Sequence, residues 1–281
     1  MTTALFRRHP QTGNARLSTG ALVPVPFQCR RADALILIGT VSLASARRWL
    51  EGEKAQPIAL RDERAPAMLW AMQYEDTVVG PYTELVVTAF ARERQEAPLQ
   101  LDSPYELAAL ALDPEVRGHI HRLLLPEAAP DAIAYGRELL HLDKEACTRI
   151  EIARDPFVPV RSVDAWQRDR IALRLRVGED DTARTRLSAG WAIIKAAGPR
   201  LVLAAARGGH LVGLAPRRLG GGQIDCWMEG SARISPWAKG DECVPTDATL
   251  LTAELKEAGF VPKLVQRVPD LKFVMALSGV D

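Results

Sequence analysis

The chain has 281 residues, 36 basic and 35 acidic side chains and a formal net charge of +1, with 47% apolar and 25% charged residues. This is the composition of an ordinary globular protein, long enough to bury a core without covalent staples. Near-zero charge excludes a generic polyanion binder, whose affinity rests on phosphate neutralisation. No nucleic-acid partner is therefore expected. No apolar stretch approaches the roughly 20 residues that span a bilayer, and Met1 to Gly20 lacks the apolar segment of a secretory signal. Cys29, Cys147, Cys226 and Cys243 lie far apart with no Cys-x-x-Cys pair. They read as reduced thiols rather than a disulfide framework, and a cytoplasmic location without a membrane partner is expected.

In chain order, residues 1–26 read as an irregular arm ending in an extended Val23-Pro24-Val25-Pro26 segment, because each proline restricts its predecessor. Residues 27–281 follow as a single domain with no Pro/Gly/Ser linker inside it. Residues 34–44 and 66–75 are apolar runs of strand length. Tyr82 to Phe90 mixes valine, threonine and aromatic residues in near alternation, which predicts a strand. Ser103-Pro104-Tyr105-Glu106 is a capping box that should open a helix reaching about Leu112. A second helix is expected from Pro130-Asp131 to about Leu140. Thr148 to Arg154 and Ile171 to Val177 alternate as half-exposed strands do, and two more strand-like runs lie within Leu201 to Leu214. Thr246-Asp247 begins a helix that stops at Gly259, and Phe260 to Leu277 reads as a closing pair of strands. Many short strands with a few helices between them predict an α+β fold, mainly antiparallel sheet closed into a barrel.

Common catalytic signatures are missing. No Gly-Lys dipeptide occurs, which removes a P-loop, and there is no His-Glu-x-x-His or Gly-x-Ser-x-Gly. Gly220 to Gly222 reads as a turn. His119 and His121 can share one strand face, but no third metal ligand follows from the spacing. Trp166, Trp227 and Trp237 read as core or subunit-contact residues.

The informative stretch surrounds one of only seven lysines. By itself it is a helix followed by a charged Asp143-Lys144-Glu145 turn. However, Ala132-Ile133-Ala134-Tyr135-Gly136-Arg137-Glu138-Leu139, with a lysine eight residues after the glycine, resembles acetoacetate decarboxylase and its superfamily. In that family this segment leads to a lysine that forms a Schiff base with a keto acid, and Lys144 matches it. Tyr82-Thr83-Glu84 is similar to the family's Tyr-x-Glu segment, which assigns Glu84 to the same pocket. Arg31, five residues before Ile36, matches the arginine that meets the substrate carboxylate. Gly230 to Ile234 resembles a late family segment.

The resemblance implies a barrel-like fold, a homo-oligomer, a small keto acid as substrate and no cofactor or metal. The expected activity is that of a Schiff-base lyase, decarboxylating a 3-keto acid or running a related imine reaction. The alternatives are an aldolase/dehydratase of a pyruvate-type acid and a non-catalytic member that kept the fold. Imine formation needs a neutral amine, and a lysine with an ordinary pKa near 10.4 is only about 0.04% neutral at pH 7. Apolar surroundings or a neighbouring cation favour the neutral form. Three positions depart from the family. Glu145 stands where the decarboxylase has a second lysine, Trp70 lies near the place of a second buried acid, and Leu140 replaces a polar amide found in the aldolase branch.

Overall fold

The computed structural model describes residues 3–53, 55–92, 97–99, 105–110, 116–154, 160–178, 210–214 and 223–278. The segment expected to be an irregular arm contains a short helix, α1 (Ala4–Arg8), and a hairpin of β1 (Gly13–Arg16) with β2 (Leu22–Val25). The long strand β3 (Phe27–Ser42) follows, and helix α2 (Leu43–Trp49) starts from it with the Ser42 side chain capping the Ser45 N–H. The apolar run expected as a strand to residue 44 therefore ends two residues earlier, at that cap.

The largest sheet among the described residues is curled. Beyond β3 it contains β4 (Gln56–Pro57), β5 (Arg64–Thr77), β6 (Tyr82–Arg92), β7 (Arg117–Pro126) and β8 (Lys144–Cys147). It is completed by β12 (His210–Leu214), β13 (Gln223–Glu229), β14 (Arg233–Pro236) and β16 (Val261–Ser278). The path β6–β5–β3–β16–β13–β12–β7 returns on itself because β7 also pairs with β6. A separate antiparallel sheet runs β15 (Glu242–Pro245), β11 (Arg170–Gly178), β10 (Val160–Gln167), β9 (Arg149–Arg154). Helices α3 (Tyr105–Leu110), α4 (Pro130–Leu139) and α5 (Leu250–Glu257) complete the described elements. The capping residues expected for α3 and the strand expected over residues 201–209 lie outside the described residues, as does the Gly220 turn.

The two layers explain the continuous apolar runs. On β3, Ala34, Ile36 and Ile38 join the core inside the curl, whereas Leu35, Leu37 and Val41 join a second core between curl and outer sheet. On β6, Leu85, Val87 and Ala89 take the outer core while Phe90 points inward. A strand covered on both faces needs no polar alternation. Charge also crosses the layers: Arg161 on β10 holds Asp33 on β3 through two hydrogen bonds of 2.9 and 3.0 Å.

The closing pair of strands expected over Phe260 to Leu277 is instead the single strand β16. The turn signal at Pro269-Asp270 is absorbed as a bulge, with Asp270 at φ 54° and register shifts against β3 on either side of Leu271. The bent strand can then pair with β3, β13 and β14. Gly259, with φ +60°, terminates α5 as expected. Among the described residues, no helix is long and apolar enough to cross a membrane.

Candidate active site

Lys144 is the first residue of β8, delivered there by α4. Pro130 opens α4 at a position where its missing N–H costs nothing. The chain then turns through Leu140 and His141, the latter at φ 54°, and the Leu142 N–H returns to the Gly136 carbonyl at 2.9 Å. Arg137 donates from its guanidinium to the Lys144 carbonyl. Glu138 accepts from Ser18 of the N-terminal hairpin. Both residues thus support the loop rather than enter the cavity.

The Lys144 side chain passes over Gly136 into the curl, where it is 5% exposed. Its ammonium nitrogen lies 2.9 Å from Oε1 of Glu84 on β6, itself 3% exposed. The Tyr74 hydroxyl on β5 donates to Oε2 of Glu84 at 2.8 Å. The Tyr74 and Tyr82 rings stack at 4.2 Å, and the amine lies 5.7 Å from the Tyr82 ring centroid. Burial first, and then the negative charge of Glu84, pushes both phenols well above their usual range. Tyr74 is therefore a fixed donor to Glu84. Removing one member of a buried ion pair typically costs about 3–5 kcal/mol, because the other charge is stranded.

These groups line a cavity of about 90 Å³. Strand alternation supplies its wall: Val86 and Thr88 follow Glu84 on one face of β6, and Ile120 and Leu123 line it from β7. Trp70 also lines it, and its indole N–H is buried without an acceptor among the described residues. Cys226 is in the wall too; burial, then the nearby Asp225, pushes its thiol up to about 12, which leaves it protonated and non-nucleophilic.

The residues flanking Lys144 point the other way. Glu145 accepts from the Leu250 and Leu251 N–H groups of α5 at 2.8 and 2.9 Å. Asp143 meets Arg122 at 2.9 Å, and Arg122 also binds Glu254 of α5. His121, expected to share a strand face with His119, has Nε2 2.7 Å from Glu254 and its ring stacked on Trp49. Burial raises the Glu254 carboxyl, but hydrogen bonds from His121 and Arg122 and their charges outweigh it and hold it at about 2.

Arg31 does not join the site. Its side chain is 60% exposed and meets Glu75 at 2.9 Å and Asp270 at 3.3 Å. The pairing of β3 with β5 shifts on both sides of Arg31, so Arg30 and Arg31 both emerge on the exposed side and simple alternation fails there. In sequence Tyr74 is only part of the apolar run 66–75, and Gly136 only part of the motif before Lys144. Tyr74 faces Tyr82 across the β5–β6 hairpin. An expected hairpin register about Val78 was the signal that would have found it.

The curled sheet with its buried lysine–glutamate pair has the acetoacetate decarboxylase-like fold. An acetoacetate decarboxylase structure superposes with a TM-score of 0.54 at 13% identity, covering 90% of this chain and 87% of that one. Acetoacetate decarboxylase from Legionella pneumophila gives 0.54 at 11% identity, covering 91% and 87%. The enduracididine biosynthesis enzyme MppR, complexed with pyruvate, gives 0.50 at 13%, covering 93% of each chain. Neither a protein-family model nor a curated protein matches the sequence.

Proposed function

We propose that the chain is a divergent acetoacetate decarboxylase-like lyase in which Lys144 forms a Schiff base with a small carbonyl compound. The observation that supports this reading most is a buried amine 2.9 Å from a buried carboxylate, both lining a mainly apolar cavity. Glu84 can take the ammonium proton as the amine attacks, and return one as the carbinolamine loses water. Tyr74 holds the other carboxylate oxygen and fixes its direction. The resulting iminium accepts an electron pair from a breaking carbon–carbon or carbon–hydrogen bond, which serves decarboxylation and aldol chemistry alike. The resemblance implies a keto acid and assigns its carboxylate to Arg31; with Arg31 outside the cavity, the proposal rests on the carbonyl alone. A homo-oligomer in the cytoplasm completes the proposal.

Borohydride reduction in the presence of carbonyl compounds, read by intact mass and peptide mapping, tests it. An adduct confined to Lys144, absent in Lys144→Ala and at least tenfold slower to form in Glu84→Gln, is expected. A folded protein that gives no Lys144 adduct with any keto acid, ketone or aldehyde refutes it and leaves a non-catalytic binding protein.

A further inference from the structure

We infer that the carbonyl compound this cavity takes is neutral and apolar rather than a keto acid; this rests on the imine reading above. Among the described residues, the charged groups lining the cavity are Lys144 and Glu84 alone, and they are already partnered with each other. Condensation of the ammonium with a carbonyl yields an iminium and one water, so the positive charge on nitrogen is conserved. The iminium and the Glu84 carboxylate still cancel. A substrate carboxylate would add a second anion with no partner in the described wall, and an unpaired charge in an apolar site is strongly disfavoured.

The wall is made for the opposite kind of ligand. Beside Lys144 and Glu84 its lining includes Met72, Met228, Met275, Leu271, Phe273 and Trp70. Three of the chain's five methionines are concentrated here. Unbranched, polarizable thioethers adapt to irregular apolar surfaces. The other polar groups in the wall, including the Thr88 hydroxyl and the Trp70 indole, are neutral. An engineered apolar cavity of about 150 Å³ takes benzene, so a cavity of about 90 Å³ suits only a small ligand, of at most about six heavy atoms. A neutral substrate excludes loss of carbon dioxide. It leaves transfer of the α-proton from the iminium to Glu84, giving an enamine and a carboxylic acid, and carbon–carbon bond formation or cleavage at that carbon.

Matched pairs test this: 2-butanone against pyruvate and 2-pentanone against acetoacetate, each at equal concentration under borohydride, with any acetone adduct credited to acetoacetate. Trapping at Lys144 at least tenfold faster for each neutral ketone is expected. Equal or faster trapping of either keto acid overturns the inference while upholding the imine. If nothing is trapped, the imine reading fails, and thermal unfolding with unreactive 2-pentanol and butanoate decides the inference. A Tm raised by the alcohol and not by the acid supports an apolar ligand. A Tm raised equally by both, or by neither, overturns it.

Discussion

Replacing Gly136 by alanine should displace the amine without breaking the helix that carries it. A Cβ built on Gly136 meets Lys144 Cε at 2.0 Å, Cδ at 2.5 Å and Nζ at 2.9 Å. Carbon atoms settle about 3.5–4.0 Å apart, so the lysine chain must move by roughly 1.5 Å. That removes Nζ from its 2.9 Å contact with Glu84. Misplacing a reacting group by about 1 Å can cost about 100-fold, and Lys144 trapping should slow by that order.

Stability separates this account from general damage. Alanine in place of glycine inside a helix gains about 0.5–1 kcal/mol. Overpacking costs about 1–3 kcal/mol, and a lost hydrogen bond between charged groups about 1.5–3 kcal/mol. Gly136→Ala should therefore destabilise the protein by about 1.5–5.5 kcal/mol in urea unfolding. In a Lys144→Ala background the three nearest atoms are gone. The same substitution should then be neutral or stabilising by up to about 1 kcal/mol. An equal cost in both backgrounds, or unchanged trapping in Gly136→Ala, refutes the packing of Lys144 on Gly136.

Two further outcomes are expected. Glu254 has its carboxyl held at about 2 against a usual 4.5. Because this folded value is depressed, its contribution to stability is complete above about 4.5 and is lost as pH falls through about 2. The full shift corresponds to roughly 3 kcal/mol, an upper bound because the side chain is 32% exposed and screened by water. Urea midpoints measured from pH 5 to pH 2 should fall more steeply for the native chain than for Glu254→Gln; parallel curves refute the pairing. Arg31→Ala should leave Lys144 trapping unchanged and stability within about 1 kcal/mol, since its ion pairs are exposed. A tenfold loss of trapping would return Arg31 to the site.

The strands were legible wherever one rule governed both faces or one face. The run beginning at Ala34 is apolar throughout because the odd and even residues of β3 feed different cores. Tyr82 to Phe90 alternates because Glu84, Val86 and Thr88 share the cavity while Leu85, Val87 and Ala89 face the outer core. Legibility failed where register departs from simple alternation. The bulges around Arg31 leave two successive arginines on the exposed side, and the bulge at Pro269-Asp270 lets one strand pass through what reads as a turn. The lysine–glutamate pair was legible only by family resemblance. Sixty residues separate its members, and nothing local in the sequence encodes their 2.9 Å contact.

The acidic residue after Lys144 shows why sequence adjacency misleads at such a site. Where the decarboxylase has a second lysine, a glutamate would matter electrostatically if it faced the cavity. On β8, however, successive side chains point to opposite faces, and Glu145 spends both oxygens on the first N–H groups of α5. There its charge complements the positive end of the helix dipole. Asp143, on the other side of Lys144, is likewise taken by Arg122, which also grips Glu254 on the same helix. The two acids that appear to crowd the amine in sequence therefore clamp the back of its strand to α5. They hold Lys144 facing inward, where Glu84 is the carboxylate it meets.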